Sequence, residues 1–170
     1  MEEYYIFIAI LIFVALYVYS YYKYPDKIHI LQIRPDEFKT NMLLERQPIV
    51  IDNNASSLSD LKSVCFMWSP TQSFNISGSN LWHYNKYKHI AIQLESAGEI
   101  LLCPPTTKML PNKSGDITTQ EPDPEDANLL AIQAKTNEII IIPFHWRYLI
   151  DTKLDVKCMG IHDWVTYVLP

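Results

Sequence analysis

The sequence NEIIIIPFHWRY, residues 137–148, decides how the rest of the chain is interpreted. Its four consecutive isoleucines are a short run for a buried helix, and their β-branched side chains favour a strand. Pro143 follows them directly and lacks the amide hydrogen that a continuing strand would use. The stretch therefore predicts a central buried strand that ends at Pro143 and enters a tight aromatic turn.

Length and composition indicate one β-rich domain. A chain of 170 residues is long enough for a single hydrophobic core. Glycine is scarce, proline is common, and isoleucine and tyrosine are plentiful, which fits strands joined by ordered loops. The net charge of −5 provides no general basic surface for nucleic-acid phosphates, so nucleic acid is excluded as a partner.

The cysteine pattern favours a reducing compartment. The chain has three isolated cysteines without CxxC spacing, namely Cys65, Cys103 and Cys158. Such a pattern is typical of buried thiols rather than of a disulfide framework or a zinc site. Against this compartment stand three Asn-x-Ser sequons, at Asn54, Asn75 and Asn112, which would matter only in a lumenal domain.

The chain begins with a predicted transmembrane helix. Residues 4–22 carry no charge, from Tyr4 through Ile12 near the middle to Tyr22. These 19 residues cover roughly 28 Å at about 1.5 Å per residue, close to the hydrocarbon thickness of a bilayer. Tyrosines at both ends resemble the aromatic belts of membrane helices. We expect a membrane anchor and its flank over residues 1–26 and one β domain over residues 27–170.

A cleaved signal peptide is the competing interpretation of this segment. Its start, Met1-Glu2-Glu3, is acidic rather than basic, and no small-x-small cleavage site follows the apolar run. Lysines follow the helix at Lys23 and Lys27, whereas glutamates precede it. The positive-inside rule then predicts a single-pass protein with its C-terminal domain in the cytoplasm.

Hydrophobic patterns along the domain predict a series of short strands. Strands are expected at residues 27–33, 49–51, 64–68, 88–94, 99–103, 129–132 and 158–169, and short helices at residues 37–46 and 57–62. A turn at residues 96–98 predicts that the strands 88–94 and 99–103 form a β-hairpin. A long proline-rich surface loop is expected at about residues 104–126.

Three motifs in this order resemble the JmjC and cupin-like superfamily of double-stranded β-helix proteins. They are the segment from Phe38 to RQPIVI at residues 46–51, WHYN at residues 82–85, and IIPFHWRY at residues 141–148. The enzymatic members of this superfamily are Fe(II)- and 2-oxoglutarate-dependent oxygenases. The resemblance implies a mainly β fold in which a cupin/JmjC-like jelly roll follows the single N-terminal transmembrane helix.

The resemblance also implies that the iron site is degenerate. His83 matches the first histidine of the family, but Asn85 stands where the carboxylate ligand belongs and Tyr148 where the second histidine belongs. A non-haem Fe(II) site uses two imidazoles and a carboxylate. A neutral amide has no charge to hold a dication, and a phenol with a pKa near 10 is a poor ligand at neutral pH. We expect no bound metal, no cofactor and no catalytic residue.

A membrane-anchored barrel without its iron ligands suggests a non-catalytic structural or interaction protein. The domain order and composition also resemble membrane-anchored structural proteins of large DNA viruses, which implies a minor capsid protein that tethers an internal membrane to the capsid. The expected partners are the lipid bilayer and a protein, possible capsid proteins included. The expected contact surfaces are the proline-rich loop and an exposed edge strand.

Two further functions remain open from the sequence. One is an active Fe(II)/2-oxoglutarate-dependent hydroxylase with an unusual ligand set, in which His83 acts with His145 or His162. The other is a sugar- or ligand-binding cupin without catalysis. Its pocket would be lined by Trp82, Tyr84, Trp146 and Arg147.

Overall fold

The computed structural model describes residues 2–52, 57–111, 120–123, 125 and 128–168. Within these residues the helices are α1 Glu2–Tyr21, α2 Leu58–Cys65 and α3 Trp164–Val168, and 3-10 turns cover Pro35–Glu37 and Thr40–Glu45. The strands are β1 Leu31–Ile33, β2 Ile49–Ile51, β3 Thr71–Ser77, β4 His83–Tyr84, β5 His89–Leu94, β6 Gly98–Cys103, β7 Met109–Pro111, β8 Gln120–Pro122, β9 Leu130–Ala134, β10 Ile139–Pro143, β11 Arg147–Ile150 and β12 Asp155–Ile161.

The strands form two main sheets. One has six strands in the order β1-β2-β10-β5-β12-β3, and the other has four in the order β4-β11-β6-β9. Leaving out β1 and β2, which extend the first sheet, the remaining eight strands have the order of a jelly roll built from two four-stranded antiparallel sheets. The prediction of a mainly β protein with one N-terminal apolar helix is confirmed.

The main core lies between the two sheets. Alternate residues of each strand point to opposite faces, so one face of β5 and β10 meets one face of β6 and β11. The fully buried side chains of this core include Ile90, Ile92, Leu94, Ile100, Leu102, Ile140, Ile142, Trp146 and Ile150. This core holds the two sheets together and fills the interior of the jelly roll.

A second core covers the outer face of the six-stranded sheet. Ile139 and Ile141 of β10 point into it, where Leu61 and Phe66 pack from α2 and the residues after it. The strand is therefore buried on both faces, which explains why four isoleucines follow one another without polar alternation. The predicted central strand is confirmed, with Pro143 as its last residue, paired with His89 of β5.

Helix α1 is long and apolar enough to cross a membrane. Its side chains, such as Tyr4 and Ile12, are exposed along most of its length, and Tyr22 is exposed just beyond its end. A membrane anchor and a signal sequence both have this kind of helix near the N-terminus. The structure confirms the predicted apolar helix and places its end at Tyr21.

The strand predicted at residues 64–68 is wrong, because α2 continues to Cys65 and a turn follows it. Ser57 caps the helix: its hydroxyl accepts a hydrogen bond from the Asp60 amide at 3.3 Å, and Asp60 accepts from the Ser57 amide at 2.8 Å. Val64 lies in the last turn and Trp68 beyond it, and both are exposed. Of the apolar run that suggested a buried strand, Val64, Met67 and Trp68 thus lie on the surface, whereas Phe66 is buried in the second core.

The predicted hairpin of residues 88–94 and 99–103 is also wrong. Both strands exist, as β5 and β6, but β5 pairs with β10 and β12, whereas β6 pairs with β11 and β9. The turn between them therefore carries the chain from one sheet to the other. A turn signal shows where the chain reverses, but whether the flanking strands pair depends on long-range contacts.

Three other predicted boundaries differ from the structure. The first strand is shorter than residues 27–33, the helix at residues 37–46 is a pair of 3-10 turns, and the final strand lies earlier, as β12, with α3 after it. Strand β3 lies in a polar stretch for which no strand was predicted, with its sequon residue Asn75 exposed. Short strands β7 and β8 pair within the predicted loop. Residues 112–119 of that loop, and the sequons at Asn54 and Asn112, lie outside the described residues.

Candidate functional site

His83 and Tyr148, two of the three predicted triad positions, lie directly opposite each other on β4 and β11. Their rings stack with centroids 5.3 Å apart and planes 19° from parallel. The hydroxyl oxygen of Ser79 lies 3.4 Å from Nε2 of the His83 imidazole. The structure therefore brings these two positions together, as the resemblance implies, but as a packed aromatic pair.

Asn85, the third triad position, is fully buried and bonded to the backbone. Its amide nitrogen donates to the carbonyls of Ile142 at 2.9 Å and Pro143 at 2.8 Å. Its side-chain oxygen accepts from the Tyr87 amide at 3.0 Å. Both ends of the amide are thus committed to holding the start of β5 against the end of β10. This geometry requires a neutral amide and has no place for a carboxylate.

The protonation of Tyr148, though not that of His83, disfavours metal binding. Burial in the core raises the pKa of Tyr148 far above its usual range, so its phenol keeps its proton. Burial also lowers the pKa of His83. Among the residues that the structure describes, no three His, Cys, Asp or Glu side chains are grouped as metal ligands would be. As arranged, these residues are suited to packing.

His145 occupies the predicted turn, on the other side of the sheet from His83. It adopts a left-handed backbone conformation with φ 67°. Its ring stacks on Tyr84, with centroids 5.4 Å apart, and its Nδ1 lies 2.7 Å from the Tyr24 hydroxyl. Because Tyr84 follows His83 in β4, their side chains point to opposite faces. His83 and His145 therefore do not form a ligand pair.

His162 lies beyond the end of β12, on the other sheet. Its ring meets the Tyr87 ring edge to face, with centroids 4.7 Å apart, and it also contacts Tyr167. His83, by contrast, belongs to β4 of the four-stranded sheet. The structure thus does not bring His162 to the position of a second ligand either.

The four residues of the predicted ligand pocket are divided between the core and the surface. Trp146 is fully buried, whereas Tyr84 is exposed. The Arg147 guanidinium lies 5.4 Å from the centre of the Tyr84 ring, so it covers the end of the sheet as a cation–π partner. A cavity of about 430 Å³ near this end of the domain is bordered by Trp146 but not by Trp82, Tyr84 or Arg147.

A polar cluster that sequence reasoning missed joins the end of α1 to the β domain. The Tyr17 hydroxyl donates to Oδ2 of Asp163 at 2.8 Å, and the Tyr21 hydroxyl donates to the same oxygen. Lys88 Nζ lies 3.3 Å from this carboxylate, and the Tyr17 ring stacks on Trp164 at 5.2 Å. The last turn of the apolar helix is therefore packed directly on the jelly roll.

Comparison with known proteins gives little beyond the fold. No family model matches the chain, and no curated protein matches it either. Among solved structures, it is similar to RmlC from Streptococcus suis, solved in complex with dTDP-D-xylose, with 9% sequence identity and a TM-score of 0.32. The match covers 72% of this chain and 66% of that chain, just under two thirds of its length. This similarity concerns the β fold at most.

Proposed function

We propose that the protein is a non-catalytic, single-pass membrane protein whose jelly-roll domain binds a protein partner close to the membrane surface. The observation that carries this proposal is the hydrogen bonding of the Asn85 side chain. Its amide is saturated by backbone groups at 2.8 to 3.0 Å, where a cupin-like or JmjC-like oxygenase would need a carboxylate. The position has become part of the structural framework.

The packing of α1 on the domain supports a retained anchor. Tyr17 and Tyr21, in the last turns of the helix, contact Asp163 and Trp164 of the domain. A cleaved signal peptide would be lost together with these contacts, and the Asp163 carboxylate would lose two hydrogen-bond donors. With the helix in a membrane, the domain lies directly against the bilayer surface.

The edge strand β3 is the surface that we assign to the protein partner. It is the outermost strand on its side of the six-stranded sheet, paired only with β12, and it is seven residues long. Its outward residues, such as Ser73 and Asn75, are exposed, polar and uncharged. A partner strand can add to such an edge through backbone hydrogen bonds. That the partner is a capsid protein of a large DNA virus stays a prediction from the sequence.

The test uses the full chain expressed in cells. We expect it to stay in the membrane fraction after alkaline extraction and to retain its N-terminal residues. Purified in mild detergent and incubated with Fe(II) without oxygen, it is expected to hold well under one equivalent of iron or zinc, and to form no succinate from 2-oxoglutarate.

Matched variants make each part of this test specific. Ile12→Arg places a charge at the centre of the helix, with an insertion penalty of about 3 kcal/mol, and should reduce membrane retention, whereas Thr40→Arg, on the surface of the domain, should not. Release of the wild type by alkali would overturn the anchor. One equivalent of iron that is lost on His83→Ala would overturn the non-catalytic assignment and favour a hydroxylase.

A further inference from the structure

The cavity of about 430 Å³ lies at the base of α1. Its walls come from four separate parts of the chain: the last turn of α1 with the residues after it, the 3-10 turn Thr40–Glu45, the start of β5 and the end of β10. The lining is mixed, because Leu43, Phe144 and Trp146 supply apolar surface while Lys23, Arg46 and Lys88 supply positive charge. Such a lining suits a ligand that has a charged group and an apolar body.

Arg46 is the main cation of the cavity. Its guanidinium donates to the Lys23 carbonyl at 3.1 Å and lies 5.4 Å from the centre of the Tyr21 ring. Among the described residues, the ion pairs are Lys88 with Asp163, Lys135 with Glu138 and Lys157 with Glu95, so Arg46 has no carboxylate within 4.0 Å there. Because it is half-buried, its pKa is lowered by desolvation. An anion would supply the missing countercharge.

The backbone at Arg46 is unusual for an arginine. Its φ of 55° lies in the left-handed region, which glycine and asparagine adopt more easily. A residue with a Cβ atom loses about 1 kcal/mol in this conformation. This conformation ends the 3-10 turn Thr40–Glu45, and Arg46 then lies in the cavity wall. Residues in strained conformations are concentrated at binding sites.

Lys88 adds a second cation beside Arg46. The charge of Arg46 contributes to lowering the pKa of Lys88, after the larger effect of burial. Lys88 is paired with Asp163. That carboxylate also accepts hydrogen bonds from the hydroxyls of Tyr17 and Tyr21, so its negative charge is not directed at Lys88 alone. The acidic residue of the cavity lining, Glu45, is exposed. Positive charge therefore exceeds negative charge in the buried part of the cavity.

The position of the cavity points to the source of the anion. This inference rests on the proposed membrane anchor: with α1 in a membrane, the end of the helix lies at the level of the phospholipid headgroups. Leu44, on the cavity wall, is 79% exposed, and Trp164, stacked on Tyr17, is 50% exposed. Exposed apolar side chains beside a membrane helix are suited to the headgroup region. We propose that the cavity binds the phosphate of an anionic phospholipid, with Arg46 and Lys88 as its ligands.

The experiment uses the full chain in a neutral detergent, titrated separately with dihexanoyl phosphatidylglycerol, dihexanoyl phosphatidylcholine and inorganic phosphate. The midpoint of thermal unfolding reports binding, because a ligand of the folded state stabilises it. We expect phosphatidylglycerol to raise the midpoint and phosphatidylcholine to leave it unchanged. Arg46→Gln and Lys88→Gln should each weaken the apparent affinity for phosphatidylglycerol at least tenfold, whereas Lys39→Gln, an exposed lysine outside the cavity lining, should not.

The alternative outcomes are distinct. Stabilisation by inorganic phosphate that depends on Arg46 would overturn the lipid as the source and leave a soluble phosphate ester in its place. Equal effects of the two lipids, or equal affinities of Lys88→Gln and Lys39→Gln, would overturn the site. Since Lys88→Gln leaves the backbone at Arg46 unchanged, the test holds even where Arg46→Gln fails to fold. Alkaline extraction tests the membrane anchor separately, so failure of the site leaves the anchor intact.

Discussion

The imidazole of His83 lies face to face with the phenol of Tyr148, with 5.3 Å between the ring centres. The two residues are opposite each other on antiparallel strands, so the distance is fixed by the sheet. Tyr148 is buried in the core, while His83 is half-buried beside it. A substitution here therefore acts first on packing.

Introducing a carboxylate at position 85 should destabilise the fold. In Asn85→Asp, a carboxylate oxygen would face the Ile142 and Pro143 carbonyls, which now accept hydrogen bonds at 2.9 and 2.8 Å. Losing these bonds and burying an unpaired charge should lower the free energy of unfolding by about 3 kcal/mol or more at pH 7. The measurement is unfolding of the detergent-solubilised full chain, followed by tryptophan fluorescence.

The pH dependence of Asn85→Asp provides a second check. The buried carboxyl group that this substitution introduces would have its pKa raised above the unfolded value of about 3.9, so the folded state would bind more protons. The destabilisation should therefore grow as pH rises through the raised pKa and fade towards about pH 4. The control is Asn75→Asp, exposed on β3 opposite Lys157, which should change stability by less than about 0.5 kcal/mol. If Asn85→Asp lowered the free energy of unfolding by as little as Asn75→Asp, this would contradict the structural role of the Asn85 side chain.

Acidification should destabilise the folded chain through two histidines, His89, which is buried, and His145, which is half-buried. Burial, followed by the charge of Lys88, lowers the pKa of His89 to about 3. Burial, followed by the charge of Arg147, lowers the pKa of His145 to about 4. Both pKa values return to about 6.5 on unfolding. Between these limits the unfolded chain binds more protons, so the free energy of unfolding should fall as pH is lowered from about 6.5 to about 4.

His145→Asn should make this decline less steep. Asparagine tolerates the left-handed backbone at this position but does not titrate. The measurement is the slope of the unfolding free energy against pH, compared with His29→Asn, in which an exposed histidine is removed. Identical slopes for the two variants would show that His145 does not titrate with the predicted depressed pKa.

Gly78→Ala should be one of the most destabilising small substitutions in the chain. An added Cβ would lie 1.8 Å from the backbone carbonyl oxygen of Asp151, and backbone cannot rotate away. We expect a loss of about 3 kcal/mol or more. At Gly98 the added Cβ meets the Leu154 side chain at 2.5 Å, which can change its rotamer, so Gly98→Ala should cost less. Unfolding measurements that give the reverse order would contradict the described packing.

The thiols should differ sharply in reactivity. Burial raises the pKa of Cys158 to about 12 and also raises the pKa of Cys103, and both residues are buried. Cys65, at the end of α2, is half-buried. Because the thiolate reacts, a maleimide should label one thiol in the folded chain and three in denaturant. Cys65→Ser should abolish labelling of the folded chain, and persistent labelling of that variant would contradict the burial of the other two.

Sequence patterns predicted the elements whose hydrophobicity is local and strong. The apolar run of α1 and the isoleucines of β10 could be read directly, since membrane length and β-branching are properties of the segment itself. Strand β3 could not be predicted in this way, because an edge strand buries one face at most. Its hydrophobic residues Phe74 and Ile76 contact the core and are only partly buried. Its pairing with β12 depends on residues more than seventy positions away.

The candidate site was predicted only in part, for a related reason. The resemblance matched His83 and Tyr148 to the two histidine positions of one metal site, and the structure places the two residues opposite each other on β4 and β11. It did not indicate the cluster around Asp163, where residues from both ends of the chain meet. The cavity at the base of α1 was missed as well, because its wall is assembled from four distant segments that come together only in the fold.

The isoleucines of β10 are buried on both faces, so sliding the strand by one residue would exchange isoleucine for isoleucine. Hydrophobic alternation, which usually fixes the alignment of a strand, cannot select the correct alignment here. Polar groups at the two ends of the strand make that selection. At one end, the side-chain amide of Asn85 bridges the carbonyls of Ile142 and Pro143. At the other end, Asn137 adopts a left-handed conformation, and its backbone amide donates to the Leu94 carbonyl at 2.9 Å. The accuracy of folding in the most apolar strand thus depends on two asparagines.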